Sequence, residues 1–366
     1  MNPPADSVDL AHRRMRNLRL SGPPLASIEE VVCWLGAVQS QDYGPAKWSI
    51  GLRAPGVADA DVDKAFADAT ILRTHILRPT WHFVRPADIR WLLALTAPRV
   101  HALNAYYYRQ LGLDLDIRRK CHALVAAELA GGGQLTRKEI AAVLAGAGVA
   151  TDGFRLTYIL MSAELDGVIC SGALRGKQHT YALLDERAPD APRLTRDEAL
   201  AELTLRYFTS HGPATVKDFR WWSSLTAADV RDGLDAVGAR LTHEVFGDVS
   251  YWSADPTQPP TIGSPTGHLL QAYDEYVVGS SESRHVLDVS GAARMGTRDR
   301  AIYNGVVVLD SQVIGHWKRT VERSRVTITA ALYASLDDAQ TEVLRDAADR
   351  HGRFLGLPAT VEVTSI

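Results

Sequence analysis

Cysteine is scarce: Cys33, Cys121 and Cys170 are the whole complement of a 366-residue chain. They are odd in number and far apart, so they form neither a disulfide framework nor a CxxC metal pattern, and reduced thiols in a cytosolic setting are the expectation. Long apolar runs are missing as well; none approaches the roughly 20 residues that span a bilayer. The stretch from Met1 to Asp9 is polar, without the apolar core of a secretory signal. Nor is there a surplus of positive charge. Lys and Arg number 40 against 43 Asp and Glu, a formal net charge of −3, which argues against a protein that coats nucleic acid non-specifically.

The common catalytic signatures are absent too. There is no GxxxxGK[ST] phosphate loop, no HExxH helix and no GxSxG nucleophile elbow. The histidines are scattered, with His75 and His82 in one predicted hairpin, where a lone histidine is more often structural than a ligand. Neither a metal nor another cofactor is expected. Basic clusters do occur, at His12-Arg13-Arg14 with Arg16 and Arg19, at Arg118-Arg119-Lys120, at Arg175 to His179, and at Lys318-Arg319 with Arg323 and Arg325. Charge runs are usually solvated surface, but these recur at hairpin turns and domain edges.

What is present is an ordinary globular composition, 46% hydrophobic and 23% charged, in a chain long enough for several domains. Three segments share one order of helix, helix, helix and hairpin. In the middle one, a helix from Cys121 to Leu129 stops at Gly131-Gly132-Gly133. Thr136-Arg137-Lys138-Glu139 is a capping box for a second helix, and Phe154 to Leu165 is a third. Strands Val168 to Leu174 and His179 to Leu184 follow, joined by the turn Arg175-Gly176-Lys177-Gln178. That order describes a winged helix-turn-helix, with a third helix for a groove and a hairpin for the flanking backbone.

A later segment repeats it, with helices from Thr195, Thr215 and Thr226 and a hairpin over Leu241 to Ser253. A looser copy lies earlier, with helices from Ile28, Ala46 and Asp61 and strands around Ile71 to Leu77 and Trp81 to Val84. A helix from Pro86 to about Tyr108 leads onward. Asp255 to Pro260 reads as a linker. Strands over Leu269 to Val278, His285 to Val289, Ala301 to Leu309, Gln312 to Lys318 and Arg325 to Leu332 then suggest a small β-barrel, with a closing helix Asp337 to Arg353. The expected class is α+β, three tandem winged helix-turn-helix units and a C-terminal β-barrel. The expected domains are 1–110, 111–190, 191–254 and 255–366.

One polar stretch stands out against this frame. The run Ile28 to Val38 places Val31, Val32, Leu35 and Val38 on one helical face, and Gly44-Pro45 punctuates the chain beyond it. On a continuing helix Gln39 and Gln41 would point roughly 200° apart. In an extended segment they face the same way, so two amides share a pocket only if the helix gives way near Val38. Tyr273-Asp274-Glu275-Tyr276 sets two carboxylates beside two phenols; a strand end or turn is its plain reading.

Gln39-Ser40-Gln41-Asp42, Arg78-Pro79-Thr80-Trp81-His82, His211-Gly212-Pro213-Ala214-Thr215 with Trp221-Trp222, and Tyr273-Asp274-Glu275-Tyr276 together resemble the motifs of the AlkZ-like winged-helix DNA glycosylases. The resemblance spans roughly Leu18 to Leu332. It implies three tandem winged helices and a barrel forming a C-shaped clamp on DNA. It also implies a monofunctional glycosylase that removes alkylated purines, notably N7-alkylguanines, and in some members unhooks interstrand crosslinks. The family's Gln-Φ-Gln motif maps onto Gln39 and Gln41, with Ser40 departing from the aliphatic middle position. Asp42 is the nearest carboxylate to take a proton; its plain reading is a turn residue bonding its own backbone.

DNA contacts are expected from Arg175, Lys177 and His179 on the middle wing, and from Arg78, Trp81 and His82 on the first hairpin, although an aromatic on a strand usually packs. The expected partner is double-stranded DNA bound by a monomer in the cytoplasm, associated with the nucleoid when on DNA. The competing readings are a winged-helix transcription regulator and a catalytically idle damage-binding protein.

Overall fold

A computed structural model describes residues 5–254, 265–295 and 305–366. The chain is α+β and divides into two compact units. One comprises Met1–Val62, Ala201–Trp222 and Thr226–Ile366, the other Asp63–Leu200 and Ser223–Leu225. Among the described residues no helix is long and apolar enough to cross a membrane.

The second unit follows the helix, helix, helix, hairpin order closely. Asp114 caps Leu115–Leu129 by accepting from the Ile117 N–H, so this helix begins earlier than its apolar spacing suggests. Thr136 and Glu139 form the predicted capping box ahead of Arg137–Gly146. Cys121, Val125 and Leu129 from the first helix, Ile140 and Leu144 from the second, and Ile159, Leu160 and Ala163 from Arg155–Leu165 make one core with Ile169 and Tyr181 of the hairpin. The strands Ile169–Ser171 and Thr180–Leu183 pair antiparallel, and Leu135–Thr136 adds a short third strand against Thr180 and Tyr181. Cys170 is buried in that hairpin, and burial pushes its thiol up to about 12, so it is inert. An earlier hairpin, Leu72–Ile76 with Thr80–Val84, leads into the helix Pro86–Gln110.

In the first unit an open five-stranded sheet runs in the order Ala359–Ser365, Val326–Leu332, Gln312–Val321, Gly305–Leu309, Gly267–Leu270. The neighbours are antiparallel except Val326–Leu332 and Ala359–Ser365, which are parallel and joined through the helix Asp338–Leu355. Alternation in Val326–Leu332 turns Val326, Ile328, Ala330 and Leu332 toward Leu344, Ala347 and Ala348 of that helix. Asp310 and Ser311 adopt φ of 45° and 68°, as a two-residue hairpin turn requires. A closed barrel is not formed among the described residues. The helix covers one face of the sheet, which removes the need to bury it by closure.

One predicted strand of this region is cut short and another is not formed. Leu269 to Val278 breaks after Leu270, because the Asp274 carboxylate accepts from the Tyr276 N–H and caps a short helix, Glu275–Val278. The β-branched pair Val277 and Val278 looked extended, but burial on all sides decides otherwise. His285 to Val289 is replaced by a 3₁₀ turn, Arg284–Leu287. The linker from Asp255 to Pro260 and residues 301–304 of one predicted strand lie outside the described residues. Helices Arg196–Ser210, Val216–Ser223 and Ala227–Val237 and the hairpin Thr242–Phe246 with Val249–Ser253 match the later segment.

Candidate active site

The helix Ile28–Leu35 is started by Ser27, whose hydroxyl accepts from the Glu30 N–H, and buries Val31, Val32 and Leu35. It stops at Gly36, where φ is 77°, a conformation open to glycine. Val38–Gln39 is extended, so the helix does give way before the two glutamines. Gly44 and Pro45, read as a chain break, instead form the first turn of the next helix, Tyr43–Arg53. Proline is tolerated there because the first N–H groups have no helical acceptor.

The four polar residues of this exit differ in exposure. Gln39 is 6% exposed and Ser40 is fully buried, whereas Gln41 and Asp42 are exposed. Asp42 occupies the N-cap of Tyr43–Arg53 without a side-chain capping bond. A buried amide is thus followed, two and three residues later, by an amide and an acid open to solvent.

Gln39 is anchored by its main chain. Its N–H donates to Glu275 Oε1 at 3.0 Å, while Glu275 Oε2 accepts from Trp222 Nε1 at 2.9 Å and from His211 Nε2 at 3.2 Å. Glu275 is 1% exposed, so water cannot solvate its charge, and these charge-assisted bonds offset the burial. His211 is itself held, stacked on Tyr207 with centroids 4.9 Å apart and Nδ1 2.8 Å from Ser210 Oγ.

The neighbouring acid serves the other side of the same exit. Asp274 accepts two bonds from Arg53, at 2.8 and 2.7 Å, and one from Ser49 Oγ at 2.7 Å. Burial acts to raise its carboxyl, yet the Arg53 guanidinium and these hydrogen bonds outweigh it and hold the group below its ordinary value of 3.8. Arg53 also reaches the Leu18 and Ser49 carbonyls. Farther along, Asp218 accepts from the Ser281, Glu282 and Ser283 N–H groups at 2.7, 2.7 and 3.2 Å, with Arg14 at 3.8 Å.

The other expected site residues lie in the second unit. Trp81 packs: its Nε1 donates to Glu164 at 3.2 Å, Arg73 lies 4.4 Å over its ring, and the His75 ring lies tilted against it with centroids 4.2 Å apart. His82 is buried with Nδ1 3.0 Å from the Thr80 carbonyl, and Arg78 is half-buried in the turn. On the middle wing Lys177 is exposed at the tip beside Gly176, whose φ is 62°. Arg175 is exposed but already donates to Glu139 and to the Gln134 carbonyl, each at 2.7 Å. Burial and the nearby Arg73 push His179 down to about 4, so it is neutral at pH 7.

Glu275, His211, Trp222, Asp274 and Arg53 are the group that residue-level reading assigned no role. His211, Trp222, Asp274 and Glu275 stand in the motifs that carry the resemblance, and their residue-level signal is acids and a histidine set among aromatic and β-branched residues, where an unpartnered charge would be costly.

Against known proteins, the model of the family described as "DNA glycosylase AlkZ-like" matches residues 32–354. The chain is 27% identical over 325 residues to the "Interstrand DNA cross-link repair glycosylase" of Streptomyces sahachiroi, covering 83% of this chain and 85% of that one. Among solved structures, the Streptomyces sahachiroi DNA glycosylase AlkZ superposes with a TM-score of 0.76 at 22% identity, covering 97% of this chain and 99% of the other. At that identity the likeness speaks for the fold.

Proposed function

The chain belongs to the AlkZ-like family of DNA glycosylases, and from that premise we propose that it hydrolyses the N-glycosidic bond of alkylated purines in duplex DNA, using a water placed by Gln39 and Gln41. N7-alkylguanines are its first substrates. Guanines tethered in interstrand crosslinks are a further class, supported by the name of the Streptomyces relative, an interstrand DNA cross-link repair glycosylase.

The observation that carries this reading is a main-chain-anchored, buried Gln39 followed closely by exposed Gln41 and Asp42. N7 alkylation makes the purine cationic, so the base departs neutral and strong acid catalysis is unnecessary. The bond from C1′ to the base nitrogen breaks, water oxygen adds to C1′, and one water proton leaves. A carboxamide offers an acceptor oxygen and a donor NH₂ but is no base at neutral pH, so the two glutamines position water and stabilise developing charge. Asp42 receives the proton. No lysine adduct is formed; the enzyme is monofunctional and needs no cofactor.

The helix, helix, helix, hairpin segments act as winged helix-turn-helix units within 1–110, 111–190 and 191–254, with 255–366 as the C-terminal domain. Lys177 and Arg175 meet phosphate at the middle wing, His179 contributes an uncharged donor, and Arg78 and His82 support the first hairpin around a packed Trp81. The protein works as a monomer.

The test is incubation of purified protein with duplex DNA carrying N7-methylguanine, scored as free base and alkali-labile abasic sites. Base release that falls by about 100-fold in Gln39→Ala fits the loss of one preorganised polar group. Retained DNA binding without release overturns the proposal in favour of a damage-binding protein. Full activity in both Gln39→Ala and Gln41→Ala overturns the residue assignment alone.

A further inference from the structure

We propose that Glu275 is a positioning residue of this glycosylase, a rigid buried acceptor that fixes the main chain of Gln39 and through it the placement of the attacking water. The inference rests on the reading of Gln39 as one of the water-placing amides.

Three donors fix the carboxylate from different elements. Trp222 and His211 occupy Oε2, which stops the group from rotating and leaves Oε1 presented to the Gln39 N–H. The short helix that carries it is locked in turn, with Glu275, Tyr276, Val277 and Val278 all buried and the Tyr276 hydroxyl donating to the Ser311 carbonyl at 2.6 Å. Gly279 ends this helix against His211. A Cβ there would lie 2.6 Å from His211 Cδ2 and 2.4 Å from the Glu275 carbonyl, so only glycine allows the approach.

Adjacent Asp274 holds Ser49 and Arg53 on the helix Tyr43–Arg53, which the chain enters directly after Asp42. One dipeptide therefore holds the start of the polar exit at Gln39 and the far half of the helix that follows Asp42. Water placement tolerates errors of only about 0.5 Å, and a main chain pinned at Gln39 beside a braced helix meets that demand better than a surface loop.

Glutamine at 275 is an informative change. Gln39 N–H and Trp222 Nε1 are donors with no acceptor capacity, and they face different oxygens. One amide oxygen satisfies only one of them, and the amide NH₂ then opposes the other. Glu275→Gln is therefore expected to fall between wild type and Glu275→Ala.

The experiment measures, for wild type, Glu275→Gln and Glu275→Ala, the single-turnover rate on an N7-methylguanine duplex, the dissociation constant for that duplex, and hydrogen exchange of the Gln39 amide by ¹H–¹⁵N NMR. In Glu275→Ala the rate should fall about 10- to 100-fold, the consequence of one lost buried acceptor, while the dissociation constant stays within about 3-fold. Gln39 exchange should accelerate in the same order as the rates fall. Unchanged Gln39 protection in Glu275→Ala overturns the anchor. A faster-exchanging amide with wild-type turnover, or a rate loss matched by weaker DNA binding, overturns the positioning role. Should Glu275→Ala not fold, a Glu275→Gln variant with wild-type rate and exchange overturns it. If wild type releases no base, the reading of Gln39 fails separately, and the exchange arm still decides whether Glu275 holds this backbone.

Discussion

Glu275 and Glu164 make an instructive pair, one in each compact unit. Each is about 1% exposed, and each gathers one histidine and one tryptophan: His211 and Trp222 for Glu275, His75 and Trp81 for Glu164. They differ in the additional donor that Glu275 accepts, the main-chain N–H of Gln39. Both histidine and tryptophan of the Glu164 set belong to one hairpin, Leu72–Ile76 with Thr80–Val84, so that carboxylate fastens side chains of a single element to the helix Arg155–Leu165. The same three side-chain types thus serve as packing in one place and as a brace beneath a polar exit in the other. Chemistry of the residues does not distinguish the two roles; the donor's place in the chain does.

That contrast is open to attack, beginning with the largest effect. Glu164→Ala should destabilise the protein by about 3 kcal/mol, read by urea unfolding, because it leaves the ring nitrogens of buried His75 and packed Trp81 without their acceptor, while turnover per folded molecule changes by less than about 3-fold. A turnover loss as large as that of Glu275→Ala would erase the distinction. Arg53→Ala leaves Asp274 buried without its guanidinium and should cost a similar 3–5 kcal/mol, roughly, with excision rate falling as well. Arg53→Lys should restore only part of the stability, since an ammonium cannot make the fork-like pair of bonds.

Acid should weigh on the first unit through His268 and His351. Burial, with Arg350 and Arg319 nearby, pushes each down to about 3 from an ordinary 6.5. Between those values the unfolded chain binds a proton that the native state refuses, so stability is complete above pH 6.5 and declines as pH falls toward 3. The expected slope is about 1.4 kcal/mol per pH unit for each histidine. Both ring nitrogens of His268 are buried without a hydrogen-bond partner, so His268→Phe should flatten that slope in thermal melts from pH 7 to 4. An unchanged slope would mean His268 does not titrate this way. The smallest effect is expected of Lys177→Ala: weaker DNA binding and a salt dependence shallower by about one unit, measured by titration at several salt concentrations. Arg175→Ala should do less, because its guanidinium already serves Glu139 and the Gln134 carbonyl.

Signals that act within a few residues produce the structure their residues ask for. The Thr136 to Glu139 capping box, the Gly176 turn and the Asp310-Ser311 turn all appear where their residues ask for them. The helix before Gln39 also ends ahead of it, at Gly36. Two departures from the strand pattern share a cause. Tyr276-Val277-Val278 has strand composition but follows a capping aspartate that Arg53 holds from more than two hundred positions away. The strand pattern after residue 265 suggested closure, yet the helix Asp338–Leu355 supplies the missing cover for the sheet.

By itself the chain determined most of the helices, the Thr136 capping box, the hairpin turns and the end of the helix ahead of Gln39, because these follow from backbone sterics, capping groups and apolar spacing within a few residues. Its ordered motifs also carried the family. Only the tertiary structure decided that Gln39 hangs from Glu275, that Asp274 grips the following helix, and that Trp81 is packed rather than presented. The physical reason is that a buried carboxylate is tolerable only among donors that converge on it, and those donors come from positions that nothing but the fold brings together.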